Sequence, residues 1–227
     1  MSRFRRAPVF DAVDGDGPYF SPDRRRVLDG TERARLIAYL TAAPLVVRAH
    51  GLEPDPLDPA AGRVVPIGFQ TDGVWIWQEA AAYYLRRYGV APENDLVAHI
   101  EATGYTPPAE LPDEVLNAAA DAALDPPTPP APDVRRDLRY FANVTSGRPA
   151  DNPGALLRQW HQAWHTGDTV RIDEICDPDL RWRPTGAFVA NARNGEHDFV
   201  EIPQRHAARV LDRWWAEEHT DAPADVR

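Results

Sequence analysis

The sequence predicts an α+β fold, with helices packed on short, mainly antiparallel strands in two subdomains joined by a proline-rich linker. Three observations lead there. Helical stripes are mixed with short strand-like apolar runs along the chain. Asp72-Gly73 sits between alternating apolar segments, the strongest short-range hairpin signal. Five prolines fall within Asp125 to Pro132, a composition that favours extended, semi-rigid backbone and marks a boundary.

Residues 1–28 read as irregular, with Asp14-Gly15-Asp16-Gly17-Pro18 as a turn cluster. Residues 29–124 form the first α+β unit. Asp29 or Thr31 caps a helix over Glu32 to Ala42, with Leu36, Ile37 and Leu40 on one side. Pro44 ends it, and Leu45 to Ala49 reads as a strand. After a loop holding Pro54, Pro56 and Pro59, a strand over Arg63 to Gln70 enters the hairpin.

A two-residue turn at Asp72-Gly73 sets Thr71 opposite Val74, Gln70 opposite Trp75, Phe69 opposite Ile76 and Gly68 opposite Trp77. One face then carries Val65, Ile67, Phe69, Val74 and Ile76 as core. The other carries Trp75 and Trp77 beside Gly68 and Gln70, as core or as a binding surface. Ala81, Tyr84, Leu85 and Tyr88 stand at i, i+3, i+4, i+7 on the next helix, which Gly89 ends. Helices follow over Glu93 to Thr103 and Asp113 to Leu124.

Past the linker, at residues 125–132, lies a second unit over residues 133–219 and a tail over 220–227. Asn152 as N-cap and Pro153 at the first helical position open a helix reaching Gly167, striped by Leu156, Trp160 and Trp164. Strands are expected at Leu180 to Arg183, Ala187 to Ala190 and Asp198 to Ile202, with a turn at Asn194-Gly195. Pro203 opens a last helix bearing Ala207, Leu211 and Trp214 on one line.

All 25 basic residues are Arg, as a high-GC coding bias would produce. The absence of Lys excludes P-loop, Schiff-base, protein-kinase and class A β-lactamase chemistry, each of which needs the amine. The single Cys176 excludes an intramolecular disulfide and suits a reducing cytosol. No apolar run approaches the roughly 18 residues of a membrane span, and Met1 to Val13 lack the apolar core of a secretory leader. The expected location is cytoplasmic.

The net charge of −10 is unevenly spread. From Tyr88 to Val134 there is no basic residue, while nine carboxylates occur, among them Glu110, Asp113 and Glu114. Such a surface repels nucleic acid and steers a basic protein partner; as a solvated face it also serves solubility. Tyr83 lies off its helix's core stripe, with Glu79 and Arg87 at i−4 and i+4, as a polar binding trio or a locally paired surface. The binding candidates are Trp75, Trp77, Gln70, Gly68, Tyr83, Glu110, Asp113 and Glu114.

His161 and His165 stand at chelating i, i+4 spacing if helical, but position 162 is Gln where the H-E-x-x-H pattern has its Glu. The expectation is no metal and no cofactor. Cys176 has Glu174, Asp177 and Asp179 around it, which oppose a thiolate, and reads as structural.

Val65-Pro66, Thr71-Asp72-Gly73-Val74-Trp75-Ile76-Trp77, Tyr83-Tyr84-Leu85, Gly89-Val90-Ala91-Pro92 and His99-Ile100 together resemble a pattern in small uncharacterised actinobacterial proteins. The resemblance covers about a sixth of the chain. Small acidic proteins with W-x-W-like motifs are similar to immunity proteins of polymorphic toxin systems, which implies binding of another protein. Trp160 to Asp168 with Pro178 to Trp182 resembles the opening of an NTF2-like domain.

The expected function is therefore non-catalytic binding of a basic protein through an acidic and Trp-bearing surface, as an immunity or antitoxin-like factor. The alternative is a small-molecule enzyme or ligand-binding protein with a pocket between the two halves.

Overall fold

The computed structural model describes residues 4–49, 51–125, 136–163, 169–195 and 198–219. Among them the chain forms thirteen strands, in mostly antiparallel sheets, and six α-helices, an α+β fold. It divides into two compact units, Met1–Pro130 and Ala131–Arg227. The expected linker meets that division, but all of it beyond Asp125 lies outside the described residues.

In the first unit, β1 (Arg5–Ala7), β4 (Leu45–Val47), β7 (Phe69–Thr71) and β8 (Trp75–Gln78) build a sheet ordered β1-β8-β7-β4. Only the β1–β8 pair is parallel. β2 (Ala12–Asp14) and β3 (Gly17–Tyr19) make a small hairpin, as do β5 (Leu52–Pro54) and β6 (Arg63–Pro66). The N-terminal segment is thus not irregular. Its strands are three residues long, too short for a period of two to stand out. The expected strand over Arg63 to Gln70 is also two strands, broken at Ile67-Gly68 and paired in different sheets.

The helices form where their stripes and caps predict. Asp29 accepts from the Glu32 N–H at 2.7 Å to open α1 (Gly30–Ala42). Gly89, at φ 63°, closes α2 (Ala80–Tyr88) with its N–H on the Leu85 carbonyl. α3 spans Asn94–Ala102 and α4 spans Asp113–Leu124. Trp75 and Trp77 pack in one cluster with Leu36 and Leu40 of α1, Leu85 of α2 and Leu96 and Ile100 of α3. Ile76 packs with Ala119 and Ala123 of α4. The sheet is buried on both faces, three helices on one side and α4 on the other.

In the second unit, β9 (Arg136–Asn143), β10 (Leu156–Ala163), β11 (Thr169–Cys176), β12 (Trp182–Pro184) and β13 (Phe199–Ile202) form an antiparallel sheet ordered β12-β11-β10-β9-β13. Phe188 of α5 (Ala187–Asn194) meets Phe141 and Phe199 edge-on at ring distances of 4.9 and 5.2 Å. α6 (Gln204–Glu218) contributes buried Leu211, Trp214 and Trp215.

Two expectations fail here. The helix over residues 152–167 is instead strand β10, as far as its residues are described. Leu156 and Trp160 are four apart, and four residues return to one face in a strand as well as nearly so in a helix. Ladders to β9 and β11 on both sides decide the outcome. The strand expected at Ala187 to Ala190 is α5, a short apolar run whose period fits both states. No helix among the described residues is long and apolar enough to cross a membrane.

Candidate partner-binding surface

The hairpin turn that dominates the sequence is built differently from its expected form. Thr71 pairs with Ile76, Gln70 with Trp77 and Phe69 with Gln78, so the pairing lies two residues beyond the expected register. The shift is even, and each side chain keeps its face. Gly73 takes φ 88°, but Asp72 does not enter the positive-φ region that a type I′ turn requires. Side chains hold the turn instead. Asp72 Oδ1 accepts the N–H groups of Val74 and Trp75 at 2.9 and 2.7 Å. The Thr71 hydroxyl donates to the Trp75 carbonyl at 2.6 Å and accepts the Gly73 N–H at 3.1 Å.

The other oxygen of Asp72 ties the turn to two helices. Oδ2 accepts the Tyr39 hydroxyl of α1 at 2.8 Å and lies 2.9 Å from Nε2 of His99 on α3. Burial, then the Asp72 carboxylate beside it, hold the Tyr39 hydroxyl well above the usual tyrosine range. A buried carboxylate with four donors satisfies the requirement that charge leaving water keep its hydrogen bonds. The turn is rigid because every strong acceptor site on Asp72 is occupied.

Above this network the tip of the turn stands beside the acidic start of α4, with Arg5 bonded to the Val74 carbonyl at 2.9 Å through its backbone N–H. Val74 is 45% exposed at the tip. A β-carbon on Gly73 would lie 3.1 Å from Leu111 Cδ2 and 3.8 Å from Val115 Cγ1, so the turn is pressed against the start of α4. Glu110, Asp113 and Glu114 are exposed there, and Asp121 follows on the outer ridge of the helix. Asp113 and Glu114 occupy the first turn, where carboxylates favour the helix dipole. Elsewhere in the arginine-free stretch Asp95 pairs with Arg5 and Glu101 with Arg25 at 3.6 Å.

The expected Trp-bearing surface is corrected. Trp75 and Trp77 are 2% and 1% exposed, under helices of their own unit. The Trp77 indole N–H donates to the Leu40 carbonyl at 3.2 Å, and the guanidinium of Arg5 covers Trp75 at 4.1 Å. Gln70 donates to the Thr41 and Ala43 carbonyls, satisfying the C-terminal end of α1. Gly68 opposes Glu79, not Trp77: its N–H reaches Glu79 Oε2 at 3.1 Å, and a β-carbon there would collide with that oxygen.

Only Glu79 leaves the Tyr83 trio, since Arg87 stays beside Tyr83 with its Nε 4.0 Å from the Asp55 oxygen that Tyr83 holds. Glu79 turns to Gly68, while Tyr83 and Tyr88 both donate to the wholly buried Asp55, at 2.8 and 2.5 Å. Burial and the Asp55 carboxylate raise both phenols. Asp55 locks its loop to α2.

Of the expected binding residues, the structure brings Glu110, Asp113 and Glu114 together at the surface and takes the tryptophans, Gln70 and Gly68 into the interior. Sequence reasoning missed Asp72, His99 and Val74 as a group. Asp72 has a local signal, an Asx turn onto the next residues, but its links to residues 33 and 27 positions away have none.

His161 lies on β10, where i, i+4 no longer brings two imidazoles together, and His165 lies outside the described residues. Among the described residues no group of three or more His, Cys, Asp or Glu is placed to hold a metal ion. Cys176 is buried, its thiol pushed up to about 12 by burial and by Asp179 and Asp177. No family model, no curated protein and no solved structure matches this chain.

Proposed function

We propose that this chain is a cytosolic protein-binding factor, of an immunity or antitoxin-like kind, whose partner is a basic protein. The observation that carries the reading is exposed Val74 on a turn packed against the start of α4, where Glu110, Asp113 and Glu114 are exposed and paired with no cation among the described residues. An exposed apolar side chain beside a cluster of like charges is the kind of surface on which a partner docks. The charge steers an oppositely charged partner, and the fixed turn beneath lowers the ordering cost of binding. A phosphate backbone would be repelled by the same field, so nucleic acid is not the partner.

A photo-crosslinking amino acid at position 74 tests this in cells. Val13, 75% exposed on the β2–β3 hairpin, serves as the control position. A discrete adduct with one basic protein from position 74 and none from position 13 is expected. Adducts of the same pattern from both positions, or none from 74, would overturn the reading.

A further inference from the structure

The binding surface leaves the imidazole of His99 without a role, and its surroundings are those of a working imidazole. Nε2 lies 2.9 Å from Asp72 Oδ2, the same oxygen that Tyr39 holds at 2.8 Å, while two backbone N–H groups occupy Oδ1. A carboxylate so fixed takes the Nε2 proton in its hydrogen bond and sets the tautomer, leaving the lone pair on Nδ1. The imidazole that carries it is partly open to solvent: the side chain is 25% exposed while Asp72 beneath it is 1% exposed. We infer that His99 Nδ1 is an acyl-accepting nucleophile, and that the Asp72–His99 pair is a site for neutral activated esters.

The electrostatics select the substrate class. His99 stands in the last turn of α3, at its negative end, beside the buried Asp72. A phosphoryl dianion would meet repulsion there, whereas a neutral ester does not, and the cation formed on acylation is stabilised. In the step, the Nδ1 lone pair bonds to the ester carbonyl carbon and the carbon–oxygen bond to the leaving group breaks, its electrons departing with the alkoxide. The resulting acyl-imidazolium keeps its Nε2 proton on Asp72. Water then adds to the acyl carbon, the nitrogen–carbon bond breaks, and the electron pair returns to Nδ1. The proton released with the carboxylic acid neutralises the alkoxide, so the sum is ester hydrolysis.

Diethyl pyrocarbonate, a neutral acyl donor, tests this on the full chain, with peptide mass analysis giving the rate at each histidine. Accessibility alone orders the reaction the other way, because the His161 side chain is 40% exposed. His99 is expected to react about tenfold faster than His161, the scale of a modest acid–base contribution. Tyr39→Phe and Asp72→Asn should each slow His99 towards the His161 rate and leave His161 as an unchanged internal standard. His99→Gln should remove most of the p-nitrophenyl acetate hydrolysis above the buffer rate, the other histidines supplying the remainder. His161 reacting as fast as His99, a His99 rate indifferent to Tyr39→Phe, or hydrolysis undiminished by His99→Gln would each overturn the inference.

Discussion

Replacing Asp72 with Ala removes the acceptor for four donors at once, and two of those donors belong to buried residues. The Tyr39 hydroxyl belongs to a residue 1% exposed, and the Trp75 N–H to one 2% exposed. A buried donor left unsatisfied costs about 1–3 kcal/mol, so the pair costs about 2–6 kcal/mol. His99 and the Val74 N–H can be rehydrated, and the desolvation cost of the carboxylate disappears with it. The net loss should be about 3 kcal/mol.

Asp72→Asn separates the contributions. The Asn carbonyl can still accept the Val74 and Trp75 N–H groups, but its amide now points a donor at the Tyr39 hydroxyl and at His99. The cost should be about half that of Asp72→Ala. Urea unfolding followed by tryptophan fluorescence measures both, at unchanged slope. An Ala variant within about 1 kcal/mol of the parent, or an Asn variant as unstable as Ala, would refute the claim that Asp72 organises the turn.

Gly73→Val should destabilise by about 2 kcal/mol, because φ is 88° and Leu111 stands 3.1 Å from the new β-carbon; the same urea titration reads it. Arg6→Ala should cost about 1 kcal/mol, since its guanidinium holds the Ala123 and Asp125 carbonyls at the end of α4, and should show as faster amide exchange in that last turn. Cys176, whose folded pKa is raised, lends stability in full below the ordinary thiol value of 9.0. That contribution is lost as pH rises towards about 12. Urea midpoints should therefore fall above pH 9.0, less steeply in Cys176→Ala, and the native thiol should ignore disulfide reagents until the chain unfolds.

The sequence was most legible where local chemistry decides structure. The Asp29 cap, the Gly89 stop and the stripes of α1 to α4 are short-range signals, and those helices lie within a few residues of their expected bounds. The hairpin was legible as to face and not as to register, because side-chain bonds from Thr71 and Asp72 replaced the backbone turn. β10 and α5 were misread since their apolar spacings fit both periods and strand pairing arbitrates. Among the site residues, Glu110, Asp113 and Glu114 were legible from a charge run. Burial of Trp75 and Trp77 was not, because it depends on helices distant in sequence, with Leu36 of α1 lying 41 positions before Trp77.

The proposed docking of a basic partner on the surface formed by Val74 and the acidic start of α4 is steered by charge. Its most direct test is the association rate of the partner captured at position 74, measured against ionic strength for the parent and for the triple variant Glu110→Arg, Asp113→Arg, Glu114→Arg. At low salt the reversal should slow association by about tenfold or more. The difference should shrink near 0.15 M, where exposed charges are screened over about 8 Å. An association rate that ignores both the reversal and the salt would contradict the claim.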